Sequence, residues 1–380
     1  MKSFLAYDDS VRSPEMRHEI GEEVVDPVVF LDIDGKRIVV ASVLERGTFE
    51  SREDVVDEFW TFDDLGFDEL TKDESFPTHL LGAELVARAL RRARIQRALV
   101  PPTFRLQVGD YLRDQGVEVV VDAEGWELRR RRKTPWELEG LERAQRAADT
   151  AMLTAARMLR DSEPTADDRL RFEGEVLTAE LIREAMQTNL LSQGAEAEVI
   201  LVQSGDACLD GHGLGTGPIR PNASCVIDCA PRDRRTGVHT DMTRTFVPGV
   251  PSEDLKRLHR HCLKALEIAI ESVRPGRKDA FERVSEYFHE RGFPTRNHHA
   301  GDEPLGEGFY HALGHGVGLQ VHEKPHLSRR SDELLAGDVV AVEPGLYFRG
   351  AGGVRLEDTV LVTDDGVEYL TDPYPDDLEP

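Results

Sequence analysis

Residues 310–325 read YHALGHGVGLQVHEKP, and His326 extends the end of this stretch to HEKPH. These last five residues match H-E-x-x-H, the helical two-histidine zinc site of many metalloproteases. Two histidines four positions apart share one zinc only when a helix places both on one face. Pro325 obstructs a helix, and glycines at alternating positions before His322 favour extended, close-packed backbone. The stretch therefore predicts strands and a site of a different kind.

The composition is that of an acidic chain with two domains. Its 380 residues exceed what one core comfortably organises. The formal net charge is −25, which argues against nucleic acid and anionic membranes as partners. No apolar stretch approaches the roughly 20 residues of a membrane span. The start, MKSFLAYDDS, lacks signal-peptide features, so we expect a cytoplasmic location.

The basic residues are mostly Arg, while Asp and Glu together number 72. Dissolved salt screens the repulsion among such acids, so a salt-rich cytoplasm tolerates this surface. We therefore expect a halophilic source, and the alternative is an ordinary acidic enzyme.

Residues 1–128 predict a small α/β domain. VVFLDI (28–33) and RIVVAS (37–42), joined by Asp34–Gly35, indicate a hairpin. Helices and strands alternate after it: a helix at 82–95, a strand at 97–100, a helix at 104–116 and a strand at 117–121. This part lacks a His, Cys or acidic cluster with ligand-like spacing, so we expect a structural or substrate-gating role.

The basic run RRRRK (129–133) marks the junction, and in so acidic a chain we interpret it as an interdomain salt contact. Residues 134–380 predict the second domain, in which two helical pairs cover antiparallel strands in an α+β layer arrangement. Its predicted helices start at Pro135 and span 172–193, 252–273 and 279–292. The two halves suggest a distant internal duplication.

Four carboxylates stand out in the second domain. Asp228 and Glu343 interrupt apolar strands, where an unpaired charge is costly, and Asp241 and Glu357 lie in neighbouring strands. Each alone has a simpler explanation as a solvated acid at a strand end. Together they would repel one another, and two divalent cations would compensate their charge. With His315 as a single nitrogen donor, the set predicts an oxygen-rich two-metal site.

This ordered ligand set resembles that of the pita-bread metallopeptidases, in the proline-peptidase branch that contains prolidase (Xaa-Pro dipeptidase) and aminopeptidase P (Xaa-Pro aminopeptidase). The matching segments lie within residues 133–363 and are KTPWELEGLERA, SGDACLDGH, DMTRTFVPG, YHALGHGVGLQVHEKP, VVAVEPGLYF and GGVRLEDTVLVT. The resemblance implies a pita-bread (creatinase/aminopeptidase) catalytic domain. The first domain resembles the branch's smaller α/β creatinase-like N-terminal domain in length and layout.

The resemblance also implies a two-metal hydrolase that cleaves the Xaa-Pro bond at the N-terminus of di-, tri- or oligopeptides. The metals would activate a water and polarise the carbonyl, and Glu343 would pass a proton to the proline nitrogen. Oxygen-rich ligands favour Mn, Co or Fe over Zn. We expect small peptides with proline second as partners, and a homodimer.

Three alternatives remain open. They are a methionine aminopeptidase-like enzyme, a non-catalytic peptide- or protein-binding protein on this fold, and a creatinase-like hydrolase that works without metal. The HEKP segment and the sizeable first domain argue against the first alternative. The five intact ligands argue against the other two.

By the same resemblance, four further residues receive roles. His212, seven positions after Gly205, would line the substrate site, and His322 would donate to the carbonyl oxygen or the tetrahedral intermediate. His311 would be a second histidine beside the metals. Arg355 would orient the carboxylates. The alternative for each histidine is a surface or packing residue.

The chain departs from the family pattern between its two aspartates. Asp228 and Asp241 are thirteen positions apart, two more than usual. An even insertion keeps both side chains on one face of the hairpin, so both ligands are expected to survive. The added pair falls in the polar turn 231–237, where Asp233 is the competing ligand and is expected to face solvent.

Two other positions also depart from the family pattern. Val238 stands where the family usually has Tyr, and His326 where dipeptidases often have an Arg that holds the substrate carboxylate, which weakens a strict dipeptidase assignment.

Cys225 and Cys229 lie on one face of a predicted strand about 13 Å apart. They are expected to be buried free thiols and neither a disulfide nor a zinc site.

Overall fold

The structure is a computed structural model that describes residues 2–50, 52, 55–371 and 377–380. Two compact units make up the chain, Met1–Arg130 and Arg131–Pro380. Among the described residues, no helix is long and apolar enough to cross a membrane.

One six-stranded sheet forms the centre of the first unit, in the order β4-β3-β2-β1-β5-β6. The strands are β1 (Ser3–Asp8), β2 (Val28–Ile33), β3 (Lys36–Ala41), β4 (Glu58–Thr61), β5 (Arg97–Val100) and β6 (Glu118–Val121). The helices that begin in this unit are α1 (Pro14–Ile20), α2 (Arg46–Phe49), α3 (Phe67–Lys72), α4 (Leu81–Ala93), α5 (Leu106–Asp114) and α6 (Ala123–Arg131).

The predicted hairpin is confirmed, because β2 and β3 pair antiparallel. Asp34 (φ 49°) and Gly35 (φ 93°) both take the left-handed backbone that a two-residue hairpin turn requires. Along β2 the side chains alternate between two cores: Val29 and Leu31 pack on one face of the sheet, and Phe30 packs on the other.

The described residues of the second unit form four α-helices and most of the strands. The helices are α7 (Pro135–Arg160), α8 (Ala179–Ser192), α9 (Glu253–Ser272) and α10 (Ala280–Glu290). The first strands are β7 (Glu163–Pro164), β8 (Leu170–Phe172), β9 (Glu175–Val176), β10 (Ala195–Glu196), β11 (Ile200–Ser204), β12 (Cys225–Cys229), β13 (Arg232–Asp233) and β14 (Met242–Phe246). The remaining strands are β15 (Gly314–Gly316), β16 (Glu323–Leu327), β17 (Val339–Val342), β18 (Gly345–Phe348), β19 (Gly352–Arg355), β20 (Asp358–Val362) and β21 (Val367–Tyr369).

Each helical pair of the second unit packs on its own antiparallel sheet, as predicted. Helices α7 and α8 share a core with the sheet β11-β12-β14, which includes Met152 and Ile227. Helices α9 and α10 share a core with the sheet β16-β15-β17-β20-β21, which includes Phe288 and Val340. The site described below draws its residues from both halves.

Local signals explain where the helices begin. Thr134 caps α7 in a reciprocal capping box with Glu137, and Pro135 occupies the first turn. The prediction of a helix from residue 172 is wrong at its start. Glu173 (φ 52°) and Gly174 (φ 88°) form a turn between β8 and β9, and the helix starts only after Thr178, which caps it.

Two predicted continuous strands are each divided in two. The first divides into β17 and β18 at Glu343–Pro344, and the second into β19 and β20 at Leu356–Glu357. Pro344 lacks a backbone donor and cannot continue the ladder. Two acidic residues therefore lie at interruptions between strands instead of within them.

Candidate metal centre

The HEKPH stretch does not form a helix. Strands β15 and β16 pair antiparallel, with His315 opposite His326. A Cβ at Gly314 would lie 2.0 Å from the carbonyl oxygen of Ala341, and one at Gly316 would lie 2.2 Å from that of Lys324. Only glycine permits this approach of the strands, so the prediction of an extended, close-packed segment is confirmed.

His315 lies at the centre of a buried cluster. One ligand atom each of Asp241, His315 and Glu357 lies within 4.8 Å of the other two, a group that can hold a metal ion. His315 Nε2 is 3.8 Å from Asp241 Oδ2 and 3.9 Å from Glu343 Oε1. The Nδ1 atom of His315 is 3.1 Å from the carbonyl oxygen of Gly316, to which it donates, so the lone pair on Nε2 faces the carboxylates. Burial, and then His322, lower the pKa of His315 to about 4, which keeps that lone pair available.

Arg355 connects the fourth carboxylate to the cluster. Its guanidinium donates to Asp228 on β12 and to the hydroxyl of Thr243 on β14, the latter at 3.2 Å. Thr243 lies opposite Asp228 in the register of the two strands and donates to Glu357 Oε2 at 2.6 Å. The pairing of β12 with β14 thus brings both halves of the hairpin to the site.

The charge of this cluster is not balanced by the protein. Burial, and then the neighbouring carboxylates, raise the pKa of Asp241 and of Glu357 well above the usual range. Burial raises the pKa of Glu343 to about 7, although Arg355 opposes the shift. Four carboxylates face one guanidinium, and the donors are hard oxygens with one imidazole. This donor set fits divalent cations.

A hydrogen-bonded chain extends from Arg355 to His311. Arg355 donates to the hydroxyl of Tyr347 at 3.2 Å, and that hydroxyl lies 3.1 Å from His311 Nε2. His311 Nδ1 is 2.6 Å from the carbonyl oxygen of Ala312, so Nδ1 carries the proton and Tyr347 donates to Nε2. Burial, and then Arg355, lower the pKa of His311 to about 3, so the ring is neutral. Both ring nitrogens of His311 are therefore engaged within the protein.

Tyr347 is a residue of the site that sequence reasoning missed. It is fully buried, and its neighbours are two glycines: a Cβ at Gly345 would lie 2.5 Å from its hydroxyl oxygen, and one at Gly353 2.5 Å from its ring. A tyrosine close to two glycines and to Glu343 was the available signal in the sequence.

Three histidines lie at the edge of the cluster. The ring of His322 packs edge-on against that of His315, with 4.3 Å between centroids. Burial, and then His212, lower the pKa of His322. His212 and His326 are exposed. His322 therefore lies against His315 at the edge of the cluster, and His212 and Asp228 are near enough to influence its pKa.

The expectation that Asp233 faces solvent is wrong, because this residue is buried and only 3 % exposed. The polar turn folds onto α7, where Arg143 donates to Asp233 at 2.9 and 3.2 Å. Thr236 Oγ1 donates to the same carboxylate at 2.6 Å. Despite burial, these hydrogen bonds hold the pKa of Asp233 below its usual range. Its carboxylate is satisfied by these partners.

The prediction for the cysteines is confirmed. All four, Cys208, Cys225, Cys229 and Cys262, are free and buried. Burial raises the pKa of the Cys208 thiol, so the protonated form is favoured there.

The chain is similar to known peptidases in sequence. The sequence profile described as metallopeptidase family M24 matches residues 139–364. The Xaa-Pro dipeptidase of Pyrococcus furiosus is 34% identical over 245 residues, which are 63% of this chain and 62% of that protein. The Xaa-Pro dipeptidase of Pyrococcus horikoshii is 40% identical over 136 residues, 35% of each chain. These matches therefore span less than two thirds of the relatives' length.

The fold is similar to a solved structure described as an X-Pro aminopeptidase from Thermotoga maritima. The TM-score is 0.75 at 20% identity, over 99% of this chain and 97% of that one. A structure described as an Xaa-Pro dipeptidase from Bacillus anthracis gives a TM-score of 0.76 at 22% identity, over 99% and 94% of the two chains. The predicted α+β pita-bread architecture, with a smaller α/β domain before it, is confirmed.

Proposed function

Because the chain belongs to metallopeptidase family M24, we propose that it is a two-metal hydrolase of the bond between an N-terminal residue and proline. One observation carries the proposal: His315 directs an unprotonated nitrogen into a buried group of carboxylates that the protein itself does not neutralise. The similarity to Xaa-Pro dipeptidases supports the choice of substrate.

We assign Asp228, Asp241, His315, Glu343 and Glu357 as the metal ligands. Bound divalent cations would lower the pKa of a water molecule and polarise the scissile carbonyl. The oxygen-rich donors favour Mn, Co or Fe over Zn. Arg355 is not a ligand, since its guanidinium holds Asp228 and supports Glu357 through Thr243.

The remaining residues act on the peptide or position other residues of the site. His322, packed against His315, donates toward the carbonyl oxygen, and His212 contacts the substrate beside it. Glu343 would take a proton from the attacking water molecule and pass it to the leaving proline nitrogen, which as a tertiary amide has no N–H of its own. His311 has both nitrogens occupied, so its part is to hold Tyr347 and, through it, Arg355.

The substrates that we propose are small peptides with proline second, and the assembly is a homodimer. The experiment that tests the function compares Ala-Pro, Ala-Pro-Ala and Met-Ala with the Mn-loaded protein, before and after chelation. We expect hydrolysis of the two proline peptides, lost on chelation and restored by metal. Undiminished activity after complete chelation, or a clear preference for Met-Ala, would contradict the proposal.

Two histidine variants refine this experiment. His315→Ala removes a ligand and should abolish most activity, whereas His326→Ala, at an exposed position opposite it, should mainly alter the preference between dipeptide and tripeptide. Near-wild-type kinetics for both variants on both peptides would contradict the assignments.

A further inference from the structure

A buried amide lies under the loop that carries His212. Gln203 is on β11 and is 1 % exposed, among apolar neighbours such as Val202. Its Nε2 donates to the carbonyl oxygen of Asp210 and, at 2.7 Å, to that of Gly213. These two carbonyls flank His212 on either side. We call residues 209–213 the His212 turn.

The orientation of this amide is determined by its partners. If the amide group were flipped, Gln203 Oε1 would face two carbonyl oxygens and be repelled. As placed, Oε1 is buried without a hydrogen-bond partner in the described part of the chain. An unpaired buried acceptor destabilises a fold, so an apolar residue would suit this strand position better for stability alone. The two donors therefore point to a purpose other than stability.

A second tether holds the same turn from the opposite side. The hydroxyl of Tyr310 donates at 2.9 Å to the carbonyl oxygen of Leu209. Tyr310 directly precedes His311. Beyond the turn, Arg183 donates to the carbonyl oxygens of Leu214 and Gly215 at 2.6 and 2.9 Å. The backbone on both sides of His212 is thus fixed, while its ring remains exposed.

We propose that Gln203 and Tyr310 are positioning residues that hold the His212 turn so that His212 meets the peptide substrate. This inference rests on the proposed function, which places His212 beside the substrate. Because His212 would contribute to binding and not to the chemical step, loss of either tether should raise KM and leave kcat nearly unchanged.

The test uses Gln203→Met, which keeps the length of the side chain without its donors, and Tyr310→Phe, which removes one hydroxyl. Each should raise KM for Ala-Pro-Ala roughly fivefold to tenfold and speed amide hydrogen exchange in the His212 turn. The melting temperature of Gln203→Met should change little, since removal of the unpaired oxygen offsets the loss of the two hydrogen bonds. The control is Tyr287→Phe, whose hydroxyl is 2.9 Å from His261 Nδ1 outside this loop, and which should change neither KM nor the exchange of the turn.

A double-mutant cycle with His212→Ala separates positioning from a general structural role. In the His212→Ala background, Gln203→Met and Tyr310→Phe should each change KM less than about twofold, because the ring they position is gone. The inference would be overturned if either substitution raised KM equally in both backgrounds. It would also be overturned if kcat fell by as large a factor as KM rose. If wild-type protein hydrolyses none of the peptides, the proposed function fails, and unchanged exchange in the His212 turn of both variants would independently overturn the tether.

Discussion

The basic run 129–133 and the buried cluster of Asp228, Asp241, Glu343 and Glu357 both remove charge from water, but they balance it in opposite ways. In the run, bases meet acids of their own unit: Arg129 meets Glu19 and Asp32, Arg130 meets Glu15, Arg131 meets Asp338 and Lys133 meets Glu323. Each of these contacts joins residues of the same unit, so none of them is the interdomain salt contact that we expected of the run. In the cluster, four carboxylates share one guanidinium. Removal of one partner from the first arrangement destabilises a fold, whereas the second is costly until cations bind, and unbalanced buried charge is enriched at functional sites.

The largest expected effect comes from exchanging a carboxylate in each region for its amide. Asp241→Asn should lower kcat/KM by about a thousandfold or more, because it removes one of the proposed metal ligands. The metal-free protein should be as stable as wild type or more stable, since repulsion within the cluster decreases. Steady-state kinetics and thermal unfolding after chelation provide both measurements.

Asp338→Asn is the matched substitution in the paired region. Asp338 is 0 % exposed and accepts hydrogen bonds from Arg131 at 2.8 and 2.5 Å, so the substitution leaves a buried guanidinium without its counter-charge. Unfolding free energy should fall by about 3 kcal/mol, while the folded fraction retains turnover. The comparison fails if Asp338→Asn inactivates the folded protein or if Asp241→Asn destabilises the metal-free protein more than Asp338→Asn does.

The pH dependence of the stability of the metal-free protein should show the same contrast between the unbalanced cluster and the paired carboxylates. The raised pKa values of Asp241 and Glu357 mean that the fold binds protons that the unfolded chain has released. Stability should therefore fall as the pH rises from 6.5 to 8, by about 2 kcal/mol for each group that stays protonated in the fold. The lowered pKa values of His311 and His315 affect stability only below about pH 6.5, where the unfolded chain binds protons that the folded protein does not.

Paired carboxylates do not contribute to this fall in stability between pH 6.5 and 8. Asp233, whose pKa is lowered, changes its contribution only at acid pH, as the pH falls through its folded value. Denaturant unfolding at pH 6.5, 7.2 and 8, with and without Mn²⁺, measures the effect. Saturating metal should remove most of the fall in stability. A metal-free protein whose stability is constant or rises over this range would show that the cluster is not strained.

Sequence reasoning succeeded where a signal is local. Thr134 and Glu137 predict the start of α7, and Asp34–Gly35 predicts the hairpin. Of the five predicted ligands, Asp241, His315 and Glu357 form a group that can hold a metal ion, and the assignment of all five stays a prediction. Sequence reasoning failed where a contact is distant along the chain. Asp233 is buried because Arg143, 90 residues away in the sequence, donates hydrogen bonds to its carboxylate. No local sequence pattern contains that partner. The tether from Gln203 to the His212 turn likewise depends on how a loop folds back on a strand.

The smallest expected effect concerns the exposed acids, which belong to neither region. Screening lengths fall from about 10 Å at 0.1 M salt to about 3 Å at 1 M, so repulsion at the surface should weaken over that range. We expect the melting temperature to rise by several degrees between 0.1 and 2 M KCl. A constant or falling melting temperature would count against a salt-rich origin. Arg131–Asp338 and the cluster, being buried, should respond less.

Metal stoichiometry tests the central claim, that unbalanced charge marks a two-metal site. Chelator-treated protein should be titrated with Mn²⁺ by calorimetry, with Glu357→Gln and Asp338→Asn as matched variants. We predict two ions per chain for wild type and for Asp338→Asn, and fewer for Glu357→Gln. A wild-type chain that binds no Mn²⁺, or that binds the same number of ions as Glu357→Gln, would contradict the account.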